Sequence, residues 1–248
     1  MRNNAPSTKL AAAEESSWMT SNSGFISTTM GDSNAAPYVG ILFTHAYSNP
    51  PYTPYPYQNL GLHLWMTENS FNPEDTRTIG TTLQITDRVH EIIVDGNANL
   101  YEWETNEIID AAFWGYSGLL NDHVPSLSYY GYGQYTQFVR PGWHLYGATE
   151  HPDSGGNVNL SFFRSNTTND LAIVAINNNS STTPLNFVFN GFTAPTVTPY
   201  TTSGSLSLAQ QTSVSAGSSF NYTLPAQSVT TFVGTANSAT IAALVGPS

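Results

Sequence analysis

The sequence predicts an α/β half followed by an all-β half. Up to about residue 103, short apolar runs alternate with segments of helical period; from about Phe138 onward only short alternating runs remain, separated by turn residues. At 248 residues the chain is long enough for one large domain or two smaller ones.

In chain order, residues 9–13 form a short apolar run ending at Glu14 and Glu15. Residues 32–38 read as a helical fragment capped by Asp32 and Ser33. Residues 39–43 are a second buried strand, followed by Thr44, His45, Ala46 and Tyr47. A loop rich in Pro and Tyr, 49–57, leads into a third strand. There, alternation over 60–66 buries large side chains, and Asn69, Ser70 and the Asn72-Pro73 pair break the run. Residues 76–94 carry Ile79, Leu83, Ile85, Val89, Ile92 and Ile93 at helical spacing, and 99–103 make a fourth short strand. Strands with intervening helices imply a parallel sheet with crossovers, and four are too few to close an eight-stranded barrel. Further strands are expected at 157–163, 171–177, 185–189, 196–201, 220–224 and 228–233, with turns at Asp153 to Gly156 and at Ser203-Gly204. Six strands at that spacing suggest a β-sandwich.

Composition excludes several classes of function. With 17 acidic and 6 basic residues the formal charge is −11, and there is no Lys/Arg cluster to replace phosphate counterions, so nucleic acid is not an expected partner. Cysteine is absent, which removes disulfide and thiolate chemistry. The six histidines, at 45, 63, 90, 123, 144 and 151, lack ligand spacing, so no metal is expected; no cofactor motif appears either. No stretch is long and apolar enough to span a bilayer. Low charge (9%) with many aromatics (12%) and abundant Asn, Ser, Thr and Gly is the make-up of an extracellular carbohydrate-handling protein. The first residues carry no apolar signal core, so a secretion signal would lie outside this sequence.

Five segments carry a family resemblance. They are Lys9 to Glu14 (KLAAAE), Tyr38 to Tyr47 (YVGILFTHAY), Leu64 to Glu68 (LWMTE), Gln137 to Gly142 (QFVRPG) and Leu224 to Val233 (LPAQSVTTFV). In order and spacing, over about residues 8–234, the chain resembles the carboxyl-terminal half of glycoside hydrolase family 30, and within it the bacterial xylanase branch. The resemblance implies strands five to eight of a (β/α)8 TIM barrel over 1–137 and a side β-sandwich over 138–236; the Ala-rich residues 237–248 read as a flexible tail. It implies a retaining glycosidase acting on xylan with two catalytic Glu residues. Glu68 takes the nucleophile's position. The acid/base of the family lies in an Asn-Glu-Pro segment after the fourth strand, and this sequence contains none, so the chain reads as a fragment of a secreted enzyme. The expected partner is a polysaccharide; no cofactor is implied.

Other site residues carry two readings each. A Glu at a strand end is often merely solvated, yet the carboxyl end of barrel strands is where active sites are built. His45 and Tyr47, two apart, share a face and could bond Glu68 or a sugar hydroxyl, or else form a core pair. Glu14 is a strand-end residue near the site. Trp103 and Trp18, with Tyr52, Tyr55 and Tyr57, either stack on pyranose faces or pack their own loops. After Trp103 the sequence runs through Glu104, Glu107 and Asp110 with no Arg before Arg140, an acidic stretch that disfavours a glucuronate branch. Arg140 is expected to hold the passage from barrel to sandwich. Two other outcomes remain open from sequence: a family 30 glycanase on another β-glycan, such as a β-1,6-galactan or glucan, and a non-catalytic carbohydrate-binding remnant.

Overall fold

The computed structural model describes residues 9–19, 24–48, 50–70 and 75–237. The expected tail, apart from Asn237, and the Asn72-Pro73 break lie outside the described residues. The chain divides into two compact units, one from 1–72 with 88–106, the other from 73–87 with 107–248. These boundaries differ from the expected division at 137.

The first unit is built on a four-stranded parallel sheet of β1 (Leu10–Glu15), β2 (Val39–His45), β3 (His63–Glu68) and β4 (Leu100–Tyr101), in that order. Its apolar residues Ile41, Leu42, Leu64 and Met66 are buried, as the alternation over 60–66 requires. Between β1 and β2 stands the helix α1 (Gly24–Gly31), which no periodicity in its residues announces. The expected helix over 32–38 is instead a bend at Asp32, whose carboxylate accepts from Asn34 N–H, and a single 3-10 turn over Ala36–Tyr38. Asp32 and Ser33 therefore follow a helix rather than cap one.

The missing signal for α1 has a tertiary cause. Its first turn is capped by Glu15 from β1, whose Oε1 accepts from Ile26 N at 2.9 Å. The carboxylate reaches the helix end only because Gly24, at φ +67°, has no side chain; a Cβ there would sit 2.5 Å from that oxygen.

Helix α2 (Ile79–Val94) begins three residues later than its period suggests, because Thr76 is tied elsewhere: its hydroxyl donates to the carbonyl of Gly118 at 2.6 Å. The division between the units falls inside this helix, after Asp87.

In the second unit, β5 (Glu107–Ile108), α3 (Ala111–Trp114), β6 (Leu120–Asn121), β7 (Val124–Pro125) and α4 (Leu127–Thr136) precede a run of antiparallel strands. These are β8 (Trp143–Glu150), β9 (Val158–Ser165), β10 (Asp170–Asn177), β11 (Thr183–Val188), β12 (Ala194–Ser203), β13 (Leu206–Gln210), β14 (Val214–Gly217), β15 (Ser219–Leu224) and β16 (Ser228–Thr235). The larger sheet has the order β13, β12, β16, β10, β9, β8, with β14 also on β12; β11 and β15 pair separately. All six strands expected from sequence are present, and β8, β13 and β14 are additional.

The two antiparallel sheets share one core. Phe187 of β11 and Phe220 of β15 stack at 4.7 Å and meet Phe232 of β16 at 5.0 and 5.3 Å, with Ile173, Val197 and Leu224 in the same cluster. The other face of the large sheet is covered by α4, through Thr231 Oγ1 donating to the Gln134 carbonyl at 2.9 Å and Gln134 Nε2 donating to Thr202 Oγ1 at 2.9 Å. Covered on both faces, β10 is buried nearly throughout, hence its unbroken apolar run from Leu171 to Ile176. α4 approaches α2 closely at Gly131, where a Cβ would lie 2.3 Å from the Thr82 methyl. Asp87 is buried as an acceptor of the Asn159 and Asn178 amides, and burial raises its carboxyl above the ordinary range.

Arg140 donates to the carbonyl of Thr136, at the end of α4, at 2.8 Å. The contact is local and exposed, in place of the holding role expected for it. Among the described residues no helix is long and apolar enough to cross a membrane.

Phe232 is fully buried at the centre of three aromatic contacts. Phe232→Ala should therefore cost about 3–5 kcal/mol, read as a lowered urea midpoint with unchanged slope. A loss below about 1 kcal/mol would contradict this packing.

Candidate active site

The site lies at the carboxyl ends of β1 to β4, within the first unit. Two β-bulges aim its carboxylates. β1 pairs Ala13 with Phe43 and then Glu15 with Thr44, so Glu14 is left over, at φ +59°. β3 pairs Met66 with Thr44 and then Glu68 with His45, leaving Thr67 over. A bulge re-aims the residues around it. Glu14 thus turns toward His45, while the next residue, Glu15, turns inward to α1.

His45 stands between two carboxylates. Its Nε2 is 3.6 Å from Glu14 Oε1 and its Nδ1 is 3.6 Å from Glu68 Oε1, electrostatic contacts slightly longer than hydrogen bonds. Tyr47 packs edge-on against the imidazole at 5.9 Å and places its phenol oxygen 2.8 Å from Glu68 Oε1. The same oxygen is 3.1 Å from Glu104 Oε2, and Ser70 Oγ donates to that carboxylate at 2.6 Å. Burial, followed by the hydrogen bonds to Glu68 and Glu104, pushes the Tyr47 phenol well above its ordinary range, so it remains a protonated donor at any working pH. The Glu68 side chain is 37% exposed: open to a ligand, yet held on one side.

The strand ends are fixed from below by Asn69, which is buried. Its Nδ2 donates to the Ala46 carbonyl at 2.7 Å, its Oδ1 accepts from Tyr101 at 3.1 Å, and its backbone carbonyl accepts from Glu104 N at 2.9 Å. One residue thereby joins the ends of β2, β3 and β4. The Ala46 carbonyl also accepts from Arg88 at 3.2 Å and Tyr52 at 3.3 Å.

The structure brings together Glu14, His45, Tyr47 and Glu68. The two tryptophans are corrected. Trp18 is 5% exposed, with Nε1 donating to the Thr53 carbonyl at 2.8 Å and its ring meeting Tyr52 and Tyr55 edge-on at 5.3 and 5.4 Å. Trp103 is 3% exposed and lies beyond β4 rather than at its end. Neither indole offers a face to a sugar; both pack. Tyr52 and Tyr55 are buried with Trp18, and burial pushes each phenol up to about 12. Ser70 read from sequence only as a strand breaker and Glu104 only as part of an acidic stretch; the signal for both was their place just after a strand end. Among the described residues no group of three or more His, Asp or Glu is arranged to hold a metal ion.

Carboxylates, an imidazole and a phenol gathered at the carboxyl ends of parallel strands are the arrangement in which α/β-barrel enzymes build their active sites. The chain is similar to proteins of glycoside hydrolase family 30, over part of their length. It is 32% identical over 216 residues to the glucuronoxylanase XynC of Bacillus subtilis (strain 168), covering 82% of this chain and 48% of that protein. The solved GH30 endoxylanase from Clostridium papyrosolvens C71 superposes with a TM-score of 0.79 at 30% identity, over 94% of this chain and 58% of that one. The family 30 subfamily 8 xylanase Xyn30A from Clostridium acetobutylicum gives 0.80 at 30% identity, over 94% and 57%. No family model matches the chain. The chain spans about half the length of the curated relatives it matches.

Asn69→Ala should lower stability by about 1–3 kcal/mol by leaving buried partners unpaired. Equilibrium urea denaturation measures this, and a midpoint equal to the parent's would remove Asn69 from its clamping role.

Proposed function

We propose that this chain forms part of a retaining endo-β-1,4-xylanase with Glu68 as its nucleophile. In this reading residues 1–137 are strands five to eight of a (β/α)8 barrel, 138–236 a β-sandwich and 237–248 a tail, in a secreted enzyme whose partner is xylan. The observation that carries it is the setting of Glu68: at a strand's carboxyl end, accepting from Tyr47 at 2.8 Å and beside His45. The solved xylanases to which the chain is similar support the substrate class.

The chemistry divides between two carboxylates. A Glu68 oxygen bonds to the anomeric carbon as the glycosidic C–O bond breaks, and the departing oxygen takes a proton from a second carboxyl roughly 5 Å away. Tyr47 and His45 hold Glu68 in line for attack. The sequence contains no Asn-Glu-Pro segment, and we assign the acid/base to no residue of it.

The nucleophile can be tested without the acid, because dinitrophenolate leaves unprotonated. The chain incubated with 2,4-dinitrophenyl 2-deoxy-2-fluoro-β-xylobioside should gain one xylobiosyl adduct by intact mass, mapping to Glu68, and Glu68→Gln should gain none. An adduct mapped to another residue would sink the assignment.

Branch specificity departs from the name of the Bacillus relative. Of the three acids after Trp103, Glu107 is engaged by His123 at 2.6 Å and Asp110 starts α3, so the acidic character at the site rests on Glu104, bonded to Tyr47 and Ser70. A carboxylate there repels a uronate, and the absence of a recognition Arg forfeits about 1.5–3 kcal/mol, or about tenfold to a hundredfold in preference. An active form carrying this chain should hydrolyse undecorated or arabinose-bearing xylan at least as fast as glucuronoxylan. Initial rates on the two polymers decide it, and a strong preference for the glucuronate-bearing one would refute this reading. The same panel includes β-1,6-linked galactan and glucan.

A further inference from the structure

Glu104 is not accounted for by the two-carboxylate chemistry. It follows β4 by three residues, and its backbone N–H is anchored on the Asn69 carbonyl at 2.9 Å. Its Oε2 meets Ser70 Oγ at 2.6 Å and the Tyr47 phenol at 3.1 Å, while that phenol is 2.8 Å from Glu68.

A phenol has one proton and donates in one direction at a time. Here two carboxylates approach the same phenol oxygen, and the shorter contact is to Glu68. Ser70 supplies Glu104 with a donor of its own, which leaves the phenol proton for Glu68. Burial first, and then the carboxylates beside the phenol, oppose loss of that proton, in keeping with the upward displacement of Tyr47. Tyr47 is 44% exposed, and besides the two carboxylates it meets the Ser70 hydroxyl and the edge of His45, so without Glu104 the ring loses one of the two carboxylates that hold it on line.

We propose that Glu104 is a positioning residue for the nucleophile, acting through Tyr47, with Ser70 setting the direction of the hydrogen bonds. This rests on the assignment of Glu68 made above. The groups facing Tyr47 are Glu68 at the end of β3, the Ser70 hydroxyl two residues on, Glu104 beyond β4 and His45 at the end of β2, with Glu14 of β1 on the far side of the imidazole. The coupling is specific in direction: Glu104 influences Glu68 through one shared phenol, so its effect vanishes when the phenol oxygen is removed.

Two measurements on the full chain test this. The first is the carbon-13 signal of Tyr47 in protein labelled at the tyrosine ζ-carbon, assigned by its loss in Tyr47→Phe. Glu104→Ala and Ser70→Ala should each shift that signal and leave the other tyrosines in place, which also shows that the fold is intact. The second is the rate of labelling by the fluoroxylobioside. Glu104→Ala should slow it about tenfold, the loss of one charge-assisted contact, and Glu104→Gln, whose amide still reaches Tyr47 and Ser70, should recover to within about threefold. In a Tyr47→Phe background, Glu104→Ala should slow labelling by less than about twofold, as a double-mutant cycle requires of a route through Tyr47. An unmoved Tyr47 signal, or a tenfold loss that persists without the phenol, overturns the inference while Glu68 remains the nucleophile. A parent chain that takes no label overturns the assignment of Glu68 and, with it, this role for Glu104.

Discussion

The site depends on a buried amide. Asn69 donates to the carbonyl that ends β2, accepts from the tyrosine that ends β4, and offers its backbone carbonyl to Glu104. Parallel strands have no hairpins to fix their ends, and β4 is only two residues long. A polar side chain that satisfies three strand ends at once substitutes for that missing connection. Its amide nitrogen and its amide oxygen each have a partner, so burying the side chain leaves neither atom unpaired. Glu68, Ser70 and Glu104 inherit their separations from this junction.

The carboxylates illustrate how backbone irregularity, added to alternation, sorts like residues into different work. Glu14 and Glu15 are neighbours, and alternation alone parts them; the extra residue in β1 sets where Glu14 stands, unpaired beside His45, while Glu15 caps α1. Thr67 does the same before Glu68. A regular strand would have sent successive side chains to opposite faces without bringing Glu68 level with His45.

This explains what the sequence could disclose. Glu68, His45 and Tyr47 were legible because each follows an apolar run with a clear end. The strands that form the antiparallel core were legible for the same reason. Helix α1 was not, since its cap comes from Glu15 on another element and its own residues, with glycine at both ends, show no period. Trp18 and Trp103 were misplaced because an aromatic ring that stacks on sugar and one that fills a core have the same local sequence. β8, β13 and β14 escaped because they lie toward the margins of the large sheet, where one-sided burial leaves a weak pattern. Glu104 read only as charge, since its partners, Tyr47 and Ser70, come from 57 and 34 residues away.

The left-handed backbone at Glu14 has a consequence for how this site can drift. A non-glycine residue held at positive φ costs roughly 1 kcal/mol or more. Glycine would relax that cost and remove the carboxylate that faces His45, so selection for stability and selection for the site's charge pull this codon in opposite directions. Among descendants kept only for folding, position 14 is where the site would begin to erode, and the neighbouring Glu15, which the helix needs, would remain.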